Sequence, residues 1–336
     1  MKKRFVWIVV GLALLCLSAT LLVAGGDKDK GEDDMLEFAL VAKGLHPWYD
    51  PCGEGFADAA VEIGGIKTRY MGPVEFTGEM QGKMVEDLIA EGVDGIAIAV
   101  VDEGALTPII NEGMRRGIPI VTFDDTAKDS DSIIFIGTDN YTAGVIEGHE
   151  IAKLTNEKGN YIVWVQDLSS ANIKNRTRGI RDALSEYPDI KELTDVQVAG
   201  YNPAEGISIA ESLYQAYPNL TITAECGMNG AIGMYMMMKE KGMDPNSIIN
   251  VAWTTLPEVV EGVKAGYIHG TVRQNPYVMG YLSTYALKWY IDGKRPSKNY
   301  FDSGVAIATA ENVDTIDDEL KARVPEMFEE FKKLWD

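Results

Sequence analysis

Leu36-Glu-Phe-Ala-Leu-Val-Ala42 is an apolar run, and Lys43-Gly-Leu-His-Pro-Trp-Tyr49 follows it directly. A short apolar run that is closed by Gly, Pro and two aromatics, and then followed by the helix-like stretch Gly53 to Gly64, predicts a buried strand that opens into a strand-to-helix turn. In an open α/β sheet, such a turn lies in the ligand crevice at the carboxyl ends of the strands. Trp48 and Tyr49 are therefore candidates for packing on the C–H face of a sugar or polyol, the alternative being two core aromatics.

Length and composition are those of a globular chain with more than one domain. The chain has 336 residues, of which 46% are hydrophobic and 24% charged, so it has room for two domains with a core in each. Its formal charge is −20 and its pI is about 4.6. This acidic balance argues against nucleic acid or an anionic membrane surface as a partner.

The N-terminus has the pattern of an export signal. Lys2-Lys-Arg4 precedes an apolar run from Phe5 to Ala24, and small residues follow before the charged stretch 27–34. We expect residues 1–26 to be a signal peptide or, because the apolar run is long, an uncleaved membrane anchor. Residues 27–35 are expected to be an acidic linker, and lipidation at Cys16 is disfavoured because apolar residues would then head the mature chain. Both alternatives place the rest of the chain outside the cytoplasm, in the periplasm or cell envelope.

Strands and helices alternate along the chain from Leu36 onward. Apolar runs of strand length alternate with helix-like stretches up to Ile136, and the same rhythm then repeats up to Val272. This alternation predicts βαβ units with parallel strands and right-handed crossovers. Two successive sets of similar size predict an α/β fold of two similar, doubly wound parallel-sheet lobes with a ligand cleft between them.

The C-terminal part begins too late to complete the second lobe alone. It contains a long helix from Tyr277 to Ile291, a short strand around Gly304 to Ala308 and an acidic amphipathic helix near Glu319 to Leu334. The simplest packing returns the chain across the cleft, so that several hinge crossings join the lobes and allow rigid-body closure. We expect one lobe to comprise residues 36–138 and 276–303, and the other residues 139–274 and 304–336.

Cysteines and histidines give no indication of a metal site. After the signal only Cys52 and Cys226 remain, and they fall in different lobes. A bridge between them would hold the cleft shut, so we expect two free, buried thiols. The three histidines, His46, His149 and His269, lack metal-ligand spacing. We therefore expect no metal and no cofactor.

Several motifs, taken in their order along the chain, resemble one protein family. They are the turn at His46 to Tyr49, Tyr70-Met-Gly-Pro73 and Met114-Arg-Arg-Gly-Ile-Pro-Ile-Val-Thr-Phe-Asp124. From about Leu36 to Ala308 the chain resembles the periplasmic substrate-binding proteins of sugar ABC transporters. Within them it is most similar to the ribose-binding-protein-like group with the type I fold, and there to the autoinducer-2 and rhamnose-type members. The resemblance implies a monomer that captures a sugar or sugar-like polyhydroxylated molecule in the interlobe cleft and delivers it to an ABC permease.

The same resemblance assigns a ligand-binding role to ten positions. The positions that correspond to the family's ligand-binding residues are Lys43, His46, Trp48, Tyr49, Asp124, Asp125, Arg176, Tyr201, Thr254 and Gln274, although Asp125 stands where an Arg is common. Asp124, at the end of the fourth strand, is implied to accept two sugar hydroxyls, and Arg176 to donate to the ring oxygen or to vicinal hydroxyls as a planar fork. The alternatives are that Asp124 or Asp125 caps the following helix and that Arg176 is a solvated helix residue.

Two stretches depart from the family pattern. Cys226-Gly-Met228 stands where an Asn-Asp pair is usual, and Ala252-Trp-Thr254 stands where Gly-Phe-Asp is usual. Two hydroxyl partners are thus missing or weakened, while Trp253 adds apolar surface. These departures weigh against a plain pentose or hexose and leave room for a modified sugar, a polyol or a furanosyl signal.

Other functions stay open on the sequence. One is a receptor for a furanosyl signal such as autoinducer-2, or a receptor that presents its ligand to a chemotaxis or kinase sensor. Another, from a different class, is an extracytoplasmic carbohydrate-acting enzyme that uses Asp124 and Asp125. Adjacent residues on one strand point to different sides and do not easily flank one bond, and the chain lacks a Gly-x-Ser-x-Gly elbow and a Gly-x-x-x-x-Gly-Lys phosphate loop. We therefore expect a binding protein and no enzyme.

Overall fold

The apolar run that begins at Leu36 is the first strand of one of two parallel sheets. The computed structural model of the protein describes residues 35–168, 170–200 and 202–335, except the side chain of Pro203. The predicted signal or anchor, and the predicted linker up to residue 34, lie outside these residues.

Six strands form the first sheet, in the spatial order β12-β5-β4-β3-β1-β2, and every neighbouring pair is parallel. In chain order these strands are β1 Leu36–Val41, β2 Ile66–Met71, β3 Gly95–Ile98, β4 Ile120–Phe123, β5 Phe135–Gly137 and β12 Tyr300–Asp302. Alternate residues of β1 point to opposite faces, so Phe38 and Leu40 join one core cluster while Ala39 and Val41 join another. Burial on both faces explains why this strand reads as a continuous apolar run.

The second sheet has the order β13-β11-β10-β9-β6-β7, with β8 also paired to β6, and only β13 is antiparallel to its neighbour. Its strands are β6 Gly159–Val165, β7 Ile190–Glu192, β8 Gln197–Val198, β9 Ile222–Glu225, β10 Ile249–Trp253, β11 Gly270–Gln274 and β13 Val305–Ala308. The prediction of an α/β fold with two parallel-sheet lobes is confirmed.

Helices cover both faces of each sheet. In chain order they are α1 Asp50–Ile63, α2 Gly78–Glu91, α3 Glu103–Arg115, α4 Asn140–Leu154, α5 Ala171–Leu184, α6 Pro203–Ala216, α7 Asn229–Glu240, α8 Pro257–Lys264, α9 Pro276–Ile291, α10 Ile316–Ala322 and α11 Val324–Lys332. Short 3-10 turns lie at Pro47–Tyr49 and Pro245–Ser247. In the part of the chain that the structure describes, no helix has both the length and the apolar content of a membrane crossing.

Within the described residues the chain passes from one sheet to the other at three places, and it returns to the first lobe once more between α10 and α11. The three crossings between the sheets follow β5, β11 and β12, and each contributes one buried polar residue to a common cluster. Thr138 Oγ1 accepts a hydrogen bond from Gln274 Nε2 at 2.9 Å and lies 3.4 Å from Ser303 Oγ. The predicted multiple hinge crossings are therefore present, and their side chains are tied to one another.

The C-terminal helix differs from the prediction in two ways. It is divided into α10 and α11, and these helices pack on different lobes. Ile316 and Leu320 of α10 join the second lobe's core, whereas Met327 and Phe331 of α11 join the core around β1. Assigning the whole of 304–336 to the second lobe was therefore wrong for α11, because amphipathicity does not say which core covers an apolar stripe. The other lobe boundaries stay predictions.

Both cysteines of the described residues are buried and free. Cys52 lies in α1 of the first lobe, and Cys226 directly follows β9 of the second. Each thiol is enclosed by its own lobe, and burial raises the pKa of both thiols.

Candidate ligand-binding site

A buried glutamine holds the base of the first turn. Gln81 of α2 donates through Nε2 to the carbonyl oxygens of Ala42 and Ala99 at 2.9 and 2.7 Å, and its Oε1 accepts from the Val101 amide at 3.0 Å. One side chain thus satisfies the backbone where both β1 and β3 end. The stretch from Lys43 onward leaves the sheet from a fixed point.

The turn that follows orients the two predicted aromatics. His46 caps the 3-10 turn, since its Nδ1 accepts from the Trp48 amide at 3.2 Å. This bond requires an unprotonated Nδ1, and burial lowers the His46 pKa, although the Asp50 charge opposes that shift. The Trp48 ring meets the Tyr49 ring edge to face, with centroids 4.9 Å apart. Tyr49 is buried, whereas Trp48 is only partly covered.

Two adjacent carboxylates meet a lysine and a tyrosine at the end of β4. Asp124 accepts from the Tyr49 hydroxyl at 2.9 Å and pairs with Lys43 Nζ at 3.2 Å, and Lys43 also lies 3.3 Å from Asp125. Burial disfavours the charge on Lys43, but the two carboxylates outweigh that effect and raise the Lys43 pKa. Burial and the Asp124 charge likewise raise the pKa of Tyr49, so its hydroxyl keeps its proton.

Backbone strain marks the ends of two strands. Asp124 has a φ of 59°, and Thr254, directly after β10, has a φ of 80°. A positive φ is uncommon outside glycine, and for a β-branched residue such as Thr it is an outlier. Strain of this kind concentrates where a fold must aim particular groups at a ligand. The two residues stand at the carboxyl ends of one strand from each sheet.

The second lobe contributes a buried arginine. Arg176 of α5 is 6% exposed, so it is not a solvated helix residue. Its Nε donates to Asn140 Oδ1 at 2.8 Å, one Nη1–H donates to the Cys226 carbonyl at 2.9 Å, and its Cζ lies 3.7 Å from the Trp253 ring centroid. These bonds occupy two of the five guanidinium N–H groups.

Arg176 also senses the carboxylates of the other lobe. Burial lowers the Arg176 pKa, and the negative charges of Asp124 and Asp125 oppose that shift. A cavity between the lobes connects their surroundings, because its lining includes Asp125, the neighbour of Asp124, and Asn140, which accepts a hydrogen bond from Arg176. Of the predicted residues, this brings together Lys43, Tyr49 and both aspartates on one side and Arg176 on the other.

A second layer of buried acids lies behind the arginine. Glu147 of α4 accepts from the Trp253 indole N–H at 2.5 Å and from the Glu225 amide at 3.2 Å. Glu225 in turn accepts from the amides of Gly227 and Ala231 at 2.9 Å each. Burial raises the Glu147 pKa well above its ordinary value and the Glu225 pKa to about 7. Glu147 thus fixes the tryptophan ring on which Arg176 stacks.

Two glycines allow the helices that carry these groups to touch. A Cβ on Gly144 of α4 would lie 2.2 Å from the Arg176 carbonyl oxygen, and a Cβ on Gly179 of α5 would lie 2.2 Å from the Tyr141 carbonyl oxygen. No other residue fits at such a crossing. The close approach brings Arg176 within hydrogen-bonding distance of Asn140.

The remaining predicted residues have separate positions. Gln274 is buried at the hinge and bonded to Thr138. Thr254 adjoins the Arg176–Trp253 stack, and its carbonyl accepts from Thr271 Oγ1 at 2.6 Å. Tyr201 lies outside the described residues.

Sequence reasoning missed two residues that hold this site. Asn140 follows the strand end Gly137-Thr-Asp139, and its place at the carboxyl edge of a strand was the signal that could have found it. Glu147 carries no such signal, since it is one acidic residue on a helix of a strongly acidic chain. Only its contact with Trp253 gives it a role.

The fold has counterparts among known proteins. Residues 38–295 match the family described as periplasmic binding protein domain. The xylose/arabinose-binding protein of Sulfolobus acidocaldarius is 22% identical over 73% of this chain, and the match covers 63% of that relative's length. The ribose import binding protein of Bacillus subtilis is 25% identical over 64% of this chain and 68% of its own.

Solved structures agree with this assignment. A sugar-binding protein of a sugar ABC transporter from Bacillus halodurans has a TM-score of 0.79 and 28% identity, covering 83% of this chain and 99% of its own. An ABC transporter solute-binding protein from Burkholderia graminis, in complex with D-arabinose, has a TM-score of 0.78 and 29% identity over 83% of this chain and 97% of its own. The likeness to autoinducer-2 and rhamnose-type members stays a prediction. The chain belongs to the periplasmic binding protein family, as a ribose-binding-protein-like member with the type I fold, and is a binding protein rather than an enzyme.

Proposed function

We propose that the protein is an extracytoplasmic receptor that binds a neutral sugar or sugar-like polyol between its lobes and delivers it to an ABC permease. The observation that carries this proposal is that a buried carboxylate, Asp124, and a buried guanidinium, Arg176, belong to opposite lobes and adjoin Asp125 and Asn140, which line one cavity between the lobes. Asp124 offers a fixed carboxylate beside Tyr49, and Arg176 offers the guanidinium N–H groups that Asn140 and Cys226 leave unused. Acceptors on one lobe and planar donors on the other suit the vicinal hydroxyls of a sugar.

The charge balance of the site supports a neutral ligand. Lys43 and Arg176 supply two positive charges, and Asp124 and Asp125 supply two negative charges within the same network. These charges cancel, so an ionic ligand would leave one group without a counter-charge in a partly buried cleft. The names of the relatives agree, since xylose, arabinose and ribose are neutral sugars.

Closure follows from the same arrangement. A ligand that bonds to both Asp124 and Arg176 does so only when the lobes are close, so it favours the closed state by its differential affinity. The three hinge crossings permit such a rigid-body motion. A permease that recognises the closed surface would accept only the loaded protein, and this delivery step, like the extracytoplasmic location, is proposed from the family.

A thermal-shift screen over sugars, polyols, nucleosides and furanosyl signals tests the function, because a ligand of the folded state raises the melting temperature. Asp124→Ala and Arg176→Ala should each weaken calorimetric binding of the best ligand by at least about tenfold, since each removes a bond to a charged group. Asp87→Ala and Arg115→Ala change exposed helix residues and serve as matched controls. Unchanged affinity in both site variants would refute the assignment.

A further inference from the structure

A cavity between the lobes adjoins the proposed sugar site and shares Asp125 and Asn140 with it. Its volume is about 410 Å³, and it opens between the lobes, next to Asp125 of the first and Asn140 of the second. Asp124, Arg176, and Trp48 do not line it. Small-molecule pockets span about 300 to 1,000 Å³, so this cavity has room for a ring-sized group.

The two sites share their boundary residues. Asp125 is paired with Lys43, which also contacts Asp124. Asn140 accepts from Arg176 Nε at 2.8 Å while lining the cavity. The cavity and the Asp124 and Arg176 side chains therefore adjoin at Asp125 and Asn140.

The chemistry of the cavity wall is that of a carbohydrate site. Amide side chains line it from both lobes, and within the described part of the chain those of Asn175 and Asn299 make no hydrogen bond. Asn172 accepts a backbone bond through Oδ1, which leaves its NH₂ group available. Phe135 and Tyr300 stack with centroids 5.6 Å apart at another part of the wall. Free amides beside aromatic faces suit the hydroxyls and the C–H face of a sugar ring.

The charged groups of the wall are largely engaged elsewhere. Asp125 is paired with Lys43 outside the cavity, and Asp139 accepts from the amides of Tyr141 and Thr142 at the start of α4. What the wall offers to an occupant is therefore mostly neutral hydrogen-bonding groups. The third charged group of the lining is the exposed Lys128. A phosphate or carboxylate would meet two acidic groups and one lysine, whereas a neutral ring would not be repelled by any of them.

We infer that the cavity is a second sugar subsite, and that the ligand of this protein is a neutral disaccharide or a comparable glycoside rather than a single ring. This inference rests on the proposed function. The first ring lies between Asp124 and Arg176, and the second ring lies against Asn172, Asn175 and the Phe135–Tyr300 pair. Because the cavity is lined by both lobes, a ligand that fills it adds contacts that only the closed state makes.

Calorimetry on the purified full chain tests the inference with two sets of probes. The monosaccharides are D-xylose, D-arabinose and D-galactose, and the disaccharides are xylobiose, arabinobiose and lactose. We expect at least one disaccharide to bind about tenfold tighter than its own monosaccharide, which corresponds to a few added hydrogen bonds.

Two variants locate the second ring. Ala171→Trp adds bulk at an exposed position of the cavity wall, and it should remove the disaccharide gain while leaving monosaccharide affinity within about threefold. Asn175→Ala removes an amide without adding bulk and should reduce the same gain. Ala265→Trp, at the exposed end of α8, is the matched control and should alter neither affinity.

The other outcomes separate the two proposals. If monosaccharides bind and no disaccharide binds more tightly than its monosaccharide, the inference is overturned and the proposed function stands. A disaccharide gain that survives in both Ala171→Trp and Asn175→Ala also overturns the inference, because the second ring then lies elsewhere. If neither these probes nor any sugar or polyol of the thermal-shift screen binds, the proposed function fails as well.

Discussion

One added methyl group at Gly144 should displace Arg176 and thereby weaken the proposed ligand site. Its backbone contacts that of Arg176 across the crossing of α4 and α5, and a Cβ there would lie 2.2 Å from the Arg176 carbonyl oxygen. The neighbour is backbone rather than the end of a flexible side chain, so it cannot rotate away. Gly144→Ala must therefore move one helix relative to the other.

The size of that movement follows from the contact distance. An ordinary Cβ contact begins at 3.4 Å, so relief from 2.2 Å requires a shift of 3.4 − 2.2 = 1.2 Å. The bond from Arg176 to Asn140, now 2.8 Å, joins the same two helices and would lengthen to about 4 Å, beyond hydrogen-bonding distance. Overpacking should lower the stability by about 1–3 kcal/mol, and loss of the hydrogen bond from the charged Arg176 by about 1.5–3 kcal/mol. The higher helix propensity of alanine should offset about 1 kcal/mol of this loss. We expect a loss of roughly 1.5–5 kcal/mol in the free energy of unfolding.

Urea denaturation and calorimetry measure the two consequences of Gly144→Ala. The denaturation midpoint should fall, and affinity for the best sugar of the screen should fall by more than about tenfold because Arg176 is displaced. Gly104→Ala is the control, since its Cβ would have its nearest neighbour at 3.4 Å on an exposed helix start. It should be neutral or stabilising by up to about 1 kcal/mol. A Gly144→Ala protein with wild-type midpoint and wild-type affinity would refute the claim that this crossing positions Arg176.

Three further changes test the surrounding network. Glu147→Gln keeps an acceptor for the Trp253 indole and should bind sugar almost as tightly as the wild type does. Glu147→Leu removes that acceptor and should lower the sugar affinity measured by calorimetry. Equal losses of affinity in the two variants would contradict a positioning role for Glu147. Burial raises the Glu225 pKa from 4.5 to about 7, so the native state binds the extra proton and stability should fall as pH rises through this window. The urea midpoint should fall over the same pH range, and Glu225→Gln should reduce this pH dependence. Identical pH slopes in the wild type and in Glu225→Gln would contradict the assignment of the dependence to Glu225. Lys43→Met removes the cation that lies 3.2 Å from Asp124. The free energy of unfolding, measured by urea denaturation, should fall by roughly 2 kcal/mol, which is less than the loss of about 3–5 kcal/mol expected when a fully buried ion pair is broken. Lys43→Arg keeps the charge and should restore most of this stability.

The sequence predicted those features that depend on pattern along the chain. Alternating strand and helix runs require a parallel sheet, and a parallel sheet places the ends of its strands at one edge. That rule alone brings Asp124 and the turn at Trp48 to the same side of the first sheet. It does not tell which partner each side chain takes, and the structure shows Asp124 already bonded to Tyr49 and Lys43.

The features that the sequence could not supply depend on contacts between distant elements. Asn140 and Glu147 gain their roles because α4 touches α5 and β10, and neither contact leaves a periodic signal. Trp253 was expected to add apolar surface, but the Arg176 guanidinium covers its face. The position of α11 was unpredictable for the same reason. Its apolar stripe predicts that it packs on a core but does not say which one, and in the structure it packs on the first lobe.

The hinge cluster links the proposed site to the motion that would close it. Gln274 was predicted as a ligand residue, and its Nε2 is occupied by Thr138. Within the described residues its Oε1 makes no hydrogen bond, so this atom is free to accept from a ligand hydroxyl. Thr138 in turn lies 3.4 Å from Ser303 on the third crossing. One amide group therefore joins a proposed ligand contact to all three crossings, and a bond from the ligand to Oε1 would fix the amide orientation on which the hinge geometry depends.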